Sequence, residues 1–148
     1  MCAPRVSPEE VTVRRAIDGD TVELRDGRLL RYIGIDTPEV RRREGGRWVE
    51  DPEPFGRIAT EANRGLVDGQ SVRLEYDVER FDRYGRTLAY VYVTRPDGET
   101  ILVNEWLVRE GLAQPMTIPP NVKHADRFRA AAAEARTAHR GLWGRNGD

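Results

Sequence analysis

The sequence of 148 residues contains one cysteine, Cys2, and one lysine, Lys123. A single cysteine excludes an intrachain disulfide and every redox or zinc motif that needs a cysteine pair. No apolar run approaches the roughly 20 residues that a bilayer core requires, so we expect a soluble chain. The 24 basic and 25 acidic residues balance, which argues against the sequence-independent grip of a strongly basic nucleic-acid binder. Any affinity for anions must therefore be local.

The length of the chain predicts one domain. We place it at residues 11–143, after an N-terminal extension at 1–10 and before a C-terminal tail at 144–148. The N-terminus has no charged and apolar leader, which taken literally predicts a cytoplasmic protein. Met-Cys-Ala is also what remains when a start codon replaces a bacterial lipoprotein leader, so a secreted or lipid-anchored location stays open.

Hydrophobic periodicity predicts a mainly β protein of the α+β class, with five strands and about three helices. The predicted strands cover residues 11–17, 21–25, 29–35, 72–78 and 87–94. The predicted helices cover residues 54–66, 103–110 and about 122–141, and residues 37–54 are expected to form a long surface loop. This order suggests a closed five-stranded antiparallel barrel with helices packed beside it.

Four carboxylates lie near the ends of adjoining predicted strands: Asp18, Asp20, Asp36 and Glu39. Gathering several anions costs free energy unless a cation lies among them. With oxygen ligands and no cysteine or histidine cluster, that cation would be hard, either Ca²⁺ or Mg²⁺. From these residues alone, a plain turn at Asp18-Gly19 and a cap at Asp36 remain an alternative.

Two arginines are candidates for binding a phosphate beside such a cation. Arg31 interrupts an apolar strand, and Arg86 begins the next barrel strand directly after a tight turn. Strict alternation would place Arg31 and Asp36 on opposite faces of a strand. We therefore predict a bulge or a break in the ladder between Ile33 and Asp36. The alternative is that either arginine lies on the surface and covers apolar area with its stem.

Three segments together resemble the motifs of the thermonuclease, or staphylococcal-nuclease-like, family. They are IDGDT at residues 17–21, RYIGIDTPE at 31–39 and DRYGR at 82–86, with further similarity in NEWLVREGLA at 104–113 and GLW at 141–143. The resemblance implies an OB-fold barrel with three helices and a calcium-dependent phosphodiesterase that acts on DNA and RNA. Mg²⁺ is the second choice of cation. We expect a monomer with nucleic acid as its partner, and no obligate protein partner is implied.

The resemblance also implies roles for single residues. Asp20 and Asp36 match the metal-binding carboxylates, and the carbonyl of Thr37 matches a further ligand. Asp18 would support these ligands without binding the ion itself. Glu39 matches the general base, and the two phosphate-binding arginines correspond to Arg31 and Arg86. Arg83 and Tyr84 are added as candidate substrate contacts. The family cleaves the bond to the 5′ oxygen and leaves 3′-phosphates.

The chain departs from the family prototype after the second helix. Tyrosines that pack on a terminal nucleotide there are absent from AQPMTIPPNV, residues 113–122. Met116 and Ile118 could supply apolar contact instead, although we expect them to pack in the core or within the loop. The arginine-rich residues 40–54 are expected to be a solvated loop, with a nucleic-acid arm as the alternative.

Two other functions remain open from the sequence. One is a catalytically silent OB-fold module that binds nucleic acid or protein. The other is a structural domain whose acidic cluster binds calcium only for stability. The joint presence of Asp20, Arg31, Asp36, Glu39 and Arg86 favours the nuclease.

Overall fold

The elements follow the predicted order with several short additions. The computed structural model describes residues 9–38, 41–44, 47–50 and 55–144, of which 41–44 and 47–50 are described by their backbone alone. The strands in these residues are β1 (Glu9–Asp18), β2 (Thr21–Leu24), β3 (Leu29–Tyr32), β4 (Ile35–Asp36), β5 (Arg41–Glu44), β6 (Arg47–Glu50), β7 (Ser71–Glu75), β8 (Thr87–Thr94), β9 (Thr100–Leu102) and β10 (Gln114–Pro115). The helices there are α1 (Gly56–Val67), α2 (Val103–Arg109) and α3 (Ala125–Thr137), followed by a 3-10 helix (Gly141–Trp143).

Five strands close into a barrel. β1 pairs antiparallel with β7 through its first half and with β2 through its second half. β2 pairs with β3, and β7 with β8, again antiparallel. The ring is closed by β3 and β8, which run parallel and align Arg31 with Leu88. The predicted five-stranded barrel with helices is confirmed, and this parallel closure is its departure from an all-antiparallel arrangement.

The barrel interior is filled by side chains of β7 and β8, and the alternation is strict only along β7. Val72 and Leu74 are buried while Ser71 and Arg73 between them are exposed. Ala89, Val91 and Val93 of β8 are buried, and so is Tyr90. Burying a side chain of the size of valine or leucine stabilises the fold by about 1.5–3 kcal/mol. The bounds of β8 agree with the sequence prediction because a short apolar run is bounded there by turn residues.

β1 bends so that it can serve two neighbours. Its register with β2 shifts between Val13 and Arg15 and again between Ala16 and Asp18. Such bulges bend a strand and increase its twist, as closing a small barrel requires. The second shift lies beside the turn between β1 and β2, which carries Asp18 and Asp20.

The helices cover the barrel. α1 packs against β1, and α2 packs against both β8 and α3. The face of α3 that carries Phe128, Ala131, Ala132 and Ala135 is buried. Arg127 binds both carboxylate oxygens of Glu105 in α2, at 2.7 and 3.1 Å. None of the helices in the described part of the chain is long and apolar enough to cross a membrane.

Two predictions about secondary structure are wrong. Part of the expected loop at 37–54 is an antiparallel hairpin, in which β5 pairs with β6 and Arg41 lies opposite Glu50. A Gly-Gly dipeptide at 45–46 is a known hairpin signal that could have indicated it. The chain after β8 is not only helical, because β9 follows the Asp97-Gly98 turn and pairs with β8. Three residues are too few to show a period.

Candidate functional site

The end of β3 carries Arg31 directly into a turn. β3 stops one residue later, and β4 begins only after a turn at Ile33-Gly34. Gly34 has a φ of +83°, and a Cβ on it would lie 2.6 Å from the ring of Phe128, so glycine is required on both counts. The predicted break between Ile33 and Asp36 is therefore confirmed. It frees Arg31 and Asp36 from strict alternation.

The guanidinium of Arg31 is held inside this turn. Its Nη1 donates to the carbonyls of Tyr32 and Ile35 at 2.7 and 2.9 Å. Its Nη2 lies 3.4 Å from Oδ2 of Asp20 and 3.5 Å from Oδ1 of Asp36. The side chains of Arg31 and Asp20 are 13% and 10% exposed, so solvent screens their contact weakly, whereas Asp36 is 56% exposed and its contact is screened more. A carboxylate from the turn between β1 and β2 and one from β4 thus share one cationic nitrogen.

Asp20 and Thr37 are neighbours because the turns that carry them approach closely. The backbone N–H of Thr37 donates to Oδ2 of Asp20 at 3.1 Å, and the hydroxyl of Thr21 lies 3.2 Å from Oδ1. Gly19 makes this approach possible, since a Cβ there would lie 2.7 Å from Oγ1 of Thr37. The structure therefore brings together the three residues Asp20, Asp36 and Thr37 around Arg31.

The carboxyl of Asp18 lies at the corner of the barrel formed by Asp20, Asp36, Thr37 and Arg31, and its pKa is perturbed. Burial raises the pKa of its carboxyl to about 7, and the adjacent Asp20 carboxylate adds to the rise. Opposing this, Oδ1 of Asp18 accepts the backbone N–H of Asp20 at 3.0 Å, and Arg31 contributes its positive charge. The net rise in pKa therefore comes chiefly from burial of the carboxyl, with repulsion by Asp20 second. A cation bound nearby would favour the charged form of Asp18.

The donor atoms suit a hard cation. Asp20 and Asp36 offer carboxylate oxygens, and the chain at Thr37 runs against Asp20. Within the described residues, no three acidic, histidine or cysteine side chains converge closely enough to hold an ion. An ion here would therefore also need carbonyl, water or phosphate oxygens, which Ca²⁺ and Mg²⁺ commonly accept. Glu39, the remaining predicted carboxylate, lies outside the described residues.

Arg86 is aimed by Asp82, a residue that the sequence reasoning did not single out. Oδ2 of Asp82 accepts Nε of Arg86 at 2.7 Å, and Oδ1 accepts the backbone N–H groups of Tyr84 and Arg86, both at 2.9 Å. Partial burial pushes the pKa of Asp82 upward, but these bonds outweigh it and hold the pKa below its usual range. The signal was available, because aspartate at the start of a tight turn commonly accepts backbone N–H groups.

Tyr84 presents its ring to solvent at the tip of the same loop, with 68% of the residue exposed. Nη2 of Arg83 donates to the Tyr84 hydroxyl at 2.8 Å. The guanidinium carbons of Arg83 and Arg86 lie 5.0 and 5.6 Å from the ring centroid, within the range of cation–π attraction. The loop therefore combines two positive charges with one exposed aromatic face.

One cleft of about 760 Å³ joins the Arg31 turn to this loop. Its lining includes Arg31, Arg83, Tyr84 and Arg86, so both candidate phosphate-binding arginines border the same space. Four large apolar or aromatic side chains in the lining are exposed: Phe81, Tyr84, Met116 and Ile118. Of the two kinds of packing expected for Met116 and Ile118, packing in the core is wrong. The segment after α2 is directed across the cleft because its first residues pair with β4.

Comparison with known proteins agrees with this architecture. A family model described as "Staphylococcal nuclease homologue" matches residues 29–145. The thermonuclease of Staphylococcus hyicus is 38% identical over 134 residues, which cover 88% of this chain and 73% of that protein. Endonuclease YncB of Bacillus subtilis is 39% identical over 142 residues, and the SPbeta prophage-derived endonuclease YokF of the same organism is 38% identical over 143.

The two Bacillus proteins are longer than this chain. Each match covers 93% of the chain, but only 63% of YncB and 45% of YokF. The match to the Staphylococcus hyicus protein covers a larger share, 73%, of that relative. With the family model spanning well over half of the sequence and this relative matched over most of its length, the chain belongs to the staphylococcal nuclease homologue family.

Proposed function

We propose that this chain is a calcium-dependent nuclease that hydrolyses phosphodiester bonds of DNA, RNA or both. The observation that carries the proposal is that Arg31, in contact with Asp20 and Asp36, borders the same cleft as Arg86. A cleft bordered by two guanidiniums, one of which contacts the carboxylates of Asp20 and Asp36, suits an anionic ester beside a cation. The printed names of the relatives, endonuclease and thermonuclease, support the same class of reaction.

The cation would be held by Asp20, Asp36 and the carbonyl of Thr37, with Mg²⁺ as the second choice. When bound, it supplies positive charge against the phosphate. Asp20 and Asp36 both lie within 3.5 Å of one nitrogen of Arg31, and carboxylates brought this close together favour a cation beside them. Asp18 acts by holding the backbone N–H of Asp20, and so orients that carboxylate.

The remaining steps belong to side chains of the chain itself. Arg31 and Arg86 bind the non-bridging phosphate oxygens, whose charge increases as water attacks phosphorus. Glu39 accepts the proton of that water, an effect typically worth about 10²–10⁴-fold. The bond from phosphorus to the 5′ oxygen breaks, the leaving oxygen takes up a proton, and a 3′-phosphate remains. This direction of cleavage rests on the family resemblance.

The rest of the cleft contacts the nucleoside. Tyr84 offers an exposed ring, and Phe81, Met116 and Ile118 offer apolar surface on which a base or sugar can pack. Arg83 adds charge beside Tyr84 for a neighbouring phosphate. Apolar and aromatic side chains beside two phosphate-binding arginines suit a nucleotide better than a free inorganic phosphate.

Digestion of single-stranded DNA tests the proposal. We expect cleavage with Ca²⁺, none with EDTA, and a fall in kcat of about a hundredfold or more for Glu39→Gln and for Arg86→Ala. Arg129→Ala, which removes an exposed arginine on α3 outside the cleft, is the matched control and should cleave like the wild type.

Three results would overturn the proposal. Cleavage that survives chelation and both substitutions would remove the mechanism. Binding of DNA without turnover would identify a silent module. A rise in melting temperature with Ca²⁺, without either binding or cleavage, would mean that the cation serves stability alone.

A further inference from the structure

The side chain of Asn121 joins the two walls of the cleft. Its Oδ1 accepts the backbone N–H of Glu79 at 2.8 Å, and its Nδ2 donates to the carbonyl of Glu79 at 2.9 Å. Asn121 is buried, with 7% of the residue exposed, and both residues line the cleft. One side chain thus pairs with both polar groups of one backbone residue, as a neighbouring strand would.

The two walls are different segments of the chain. The first, residues 79–86, carries Phe81, Tyr84 and Arg86, and we call it the arginine loop. The second, residues 116–121, carries Met116 and Ile118, and we call it the apolar segment. The arginine loop and the apolar segment are far apart in the sequence. The distance between them across the cleft therefore depends on direct contacts between the two segments.

The apolar segment is tied at both ends. At its start, the N–H of Met116 donates to the carbonyl of Gly34 at 2.8 Å, in the turn that holds Arg31. At its end, the N–H of Asn121 donates to the carbonyl of Ile118 at 3.0 Å, and the amide of Asn121 reaches across to the arginine loop. The segment therefore spans from the Arg31 turn to the arginine loop. Asn121 makes the second of these ties.

We propose that Asn121 is a positioning residue that sets the width of the nucleotide cleft; the inference rests on the proposed function. It reaches substrate through Ile118 and the arginine loop and touches no reacting atom. Arg31 and Arg86 keep their own supports, the carbonyls of the Arg31 turn and Asp82. We call the pair of hydrogen bonds between Asn121 and Glu79 the clamp. Its loss loosens the end of the apolar segment, which stays attached further along through Lys123 and His124, and leaves the charged groups in place.

This division predicts how the kinetic constants separate. A segment that is loose in the free protein must be ordered when substrate binds, and that ordering weakens binding. We expect Asn121→Ala to raise KM for a single-stranded DNA oligonucleotide by about tenfold, while kcat stays within about twofold of the wild type. Val93→Ala is the control, since it removes buried apolar volume from β8 outside the cleft lining. It should lower stability and leave KM unchanged.

A double-mutant cycle separates positioning from general loosening. If the clamp acts by placing Ile118, then adding Asn121→Ala to Ile118→Ala should change KM by less than about twofold. A full tenfold change in that background would overturn the inference. If the alanine variant does not fold, Asn121→Ser keeps a small neutral polar group in the turn and carries the same expectations.

Failure of the clamp is distinguishable from failure of the proposed function. A wild-type chain that cleaves neither DNA nor RNA refutes the function itself. A wild type that cleaves, with Asn121 variants of unchanged KM or with kcat lowered as much as binding, refutes only the role of Asn121.

Discussion

Replacing Asp82 by asparagine tests whether the arginine loop is organised by a single carboxylate. The substitution keeps the shape of the side chain and its Oδ1, which can still accept the backbone N–H groups of Tyr84 and Arg86. It places an amide nitrogen where Oδ2 now accepts Nε of Arg86 at 2.7 Å. Two donors then face each other, so Arg86 loses its partner while the turn survives.

The size of the effect follows from this contact. A hydrogen bond to a charged group contributes about 1.5–3 kcal/mol. Water reaches both side chains, since Arg86 is 30% and Asp82 18% exposed, and we therefore expect a loss of about 1–2 kcal/mol. For a chain of this size that lowers Tm by about 2–8 °C. We expect kcat/KM on single-stranded DNA to fall about 10- to 100-fold, because Arg86 is no longer aimed at the phosphate.

Thermal melting and initial-rate kinetics measure the two effects, with Asp97→Asn as the control. Asp97 accepts the backbone N–H of Glu99 at 2.9 Å in another hairpin turn and lies outside the cleft lining, so its substitution should change neither rate nor Tm appreciably. The pKa of Asp82 is depressed in the fold, so its contribution disappears as the pH falls below about 4. The difference in Tm between wild type and variant should shrink there. If Asp82→Asn keeps the kcat/KM of the wild type while Arg86→Ala is inactive, then Asp82 does not position Arg86 and the reasoning is refuted.

Three further substitutions probe the corner around Asp18. The pKa of Asp18 is raised from 3.8 to about 7, so its contribution to stability should be lost, and the Tm in EDTA should fall, as the pH rises between these values. Asp18→Asn should reduce this fall in Tm. The same dependence of Tm on pH in wild type and variant would contradict the expectation. Gly34→Ala should lower the free energy of unfolding in urea by about 1–3 kcal/mol or more. Gly98→Ala is the control: Gly98 has a φ of +92°, but nothing lies within 4 Å of a Cβ placed on it, so its free energy of unfolding should fall less. Asn63→Leu strands the buried Tyr32 hydroxyl, which donates to Asn63 at 2.6 Å, and should cost about 1–3 kcal/mol. Adding Tyr32→Phe should recover part of that loss in the same assay, and no recovery would refute the pairing.

Local pattern accounts for much of the agreement between sequence and structure. β8 is a short run of apolar, strand-forming residues between two turns, so its bounds could be predicted. The break after Arg31 was also predictable, because an arginine and an aspartate five residues apart share a site only if the strand is interrupted. The general-base role of Glu39, the cation and the products of cleavage stay predictions.

Residue types and their order along the chain were enough to indicate a barrel, the charged groups and the family to which the chain belongs. Tertiary structure decided which groups meet, because pairing between distant segments depends on the packing of the whole chain rather than on a local period. The parallel closure of β3 on β8 is one such outcome. The other is the path of the segment after α2, which exposes Met116 and Ile118 to the cleft and places Asn121 against Glu79. The sequence has no spacing or motif from which the contact between Asn121 and Glu79 could be predicted.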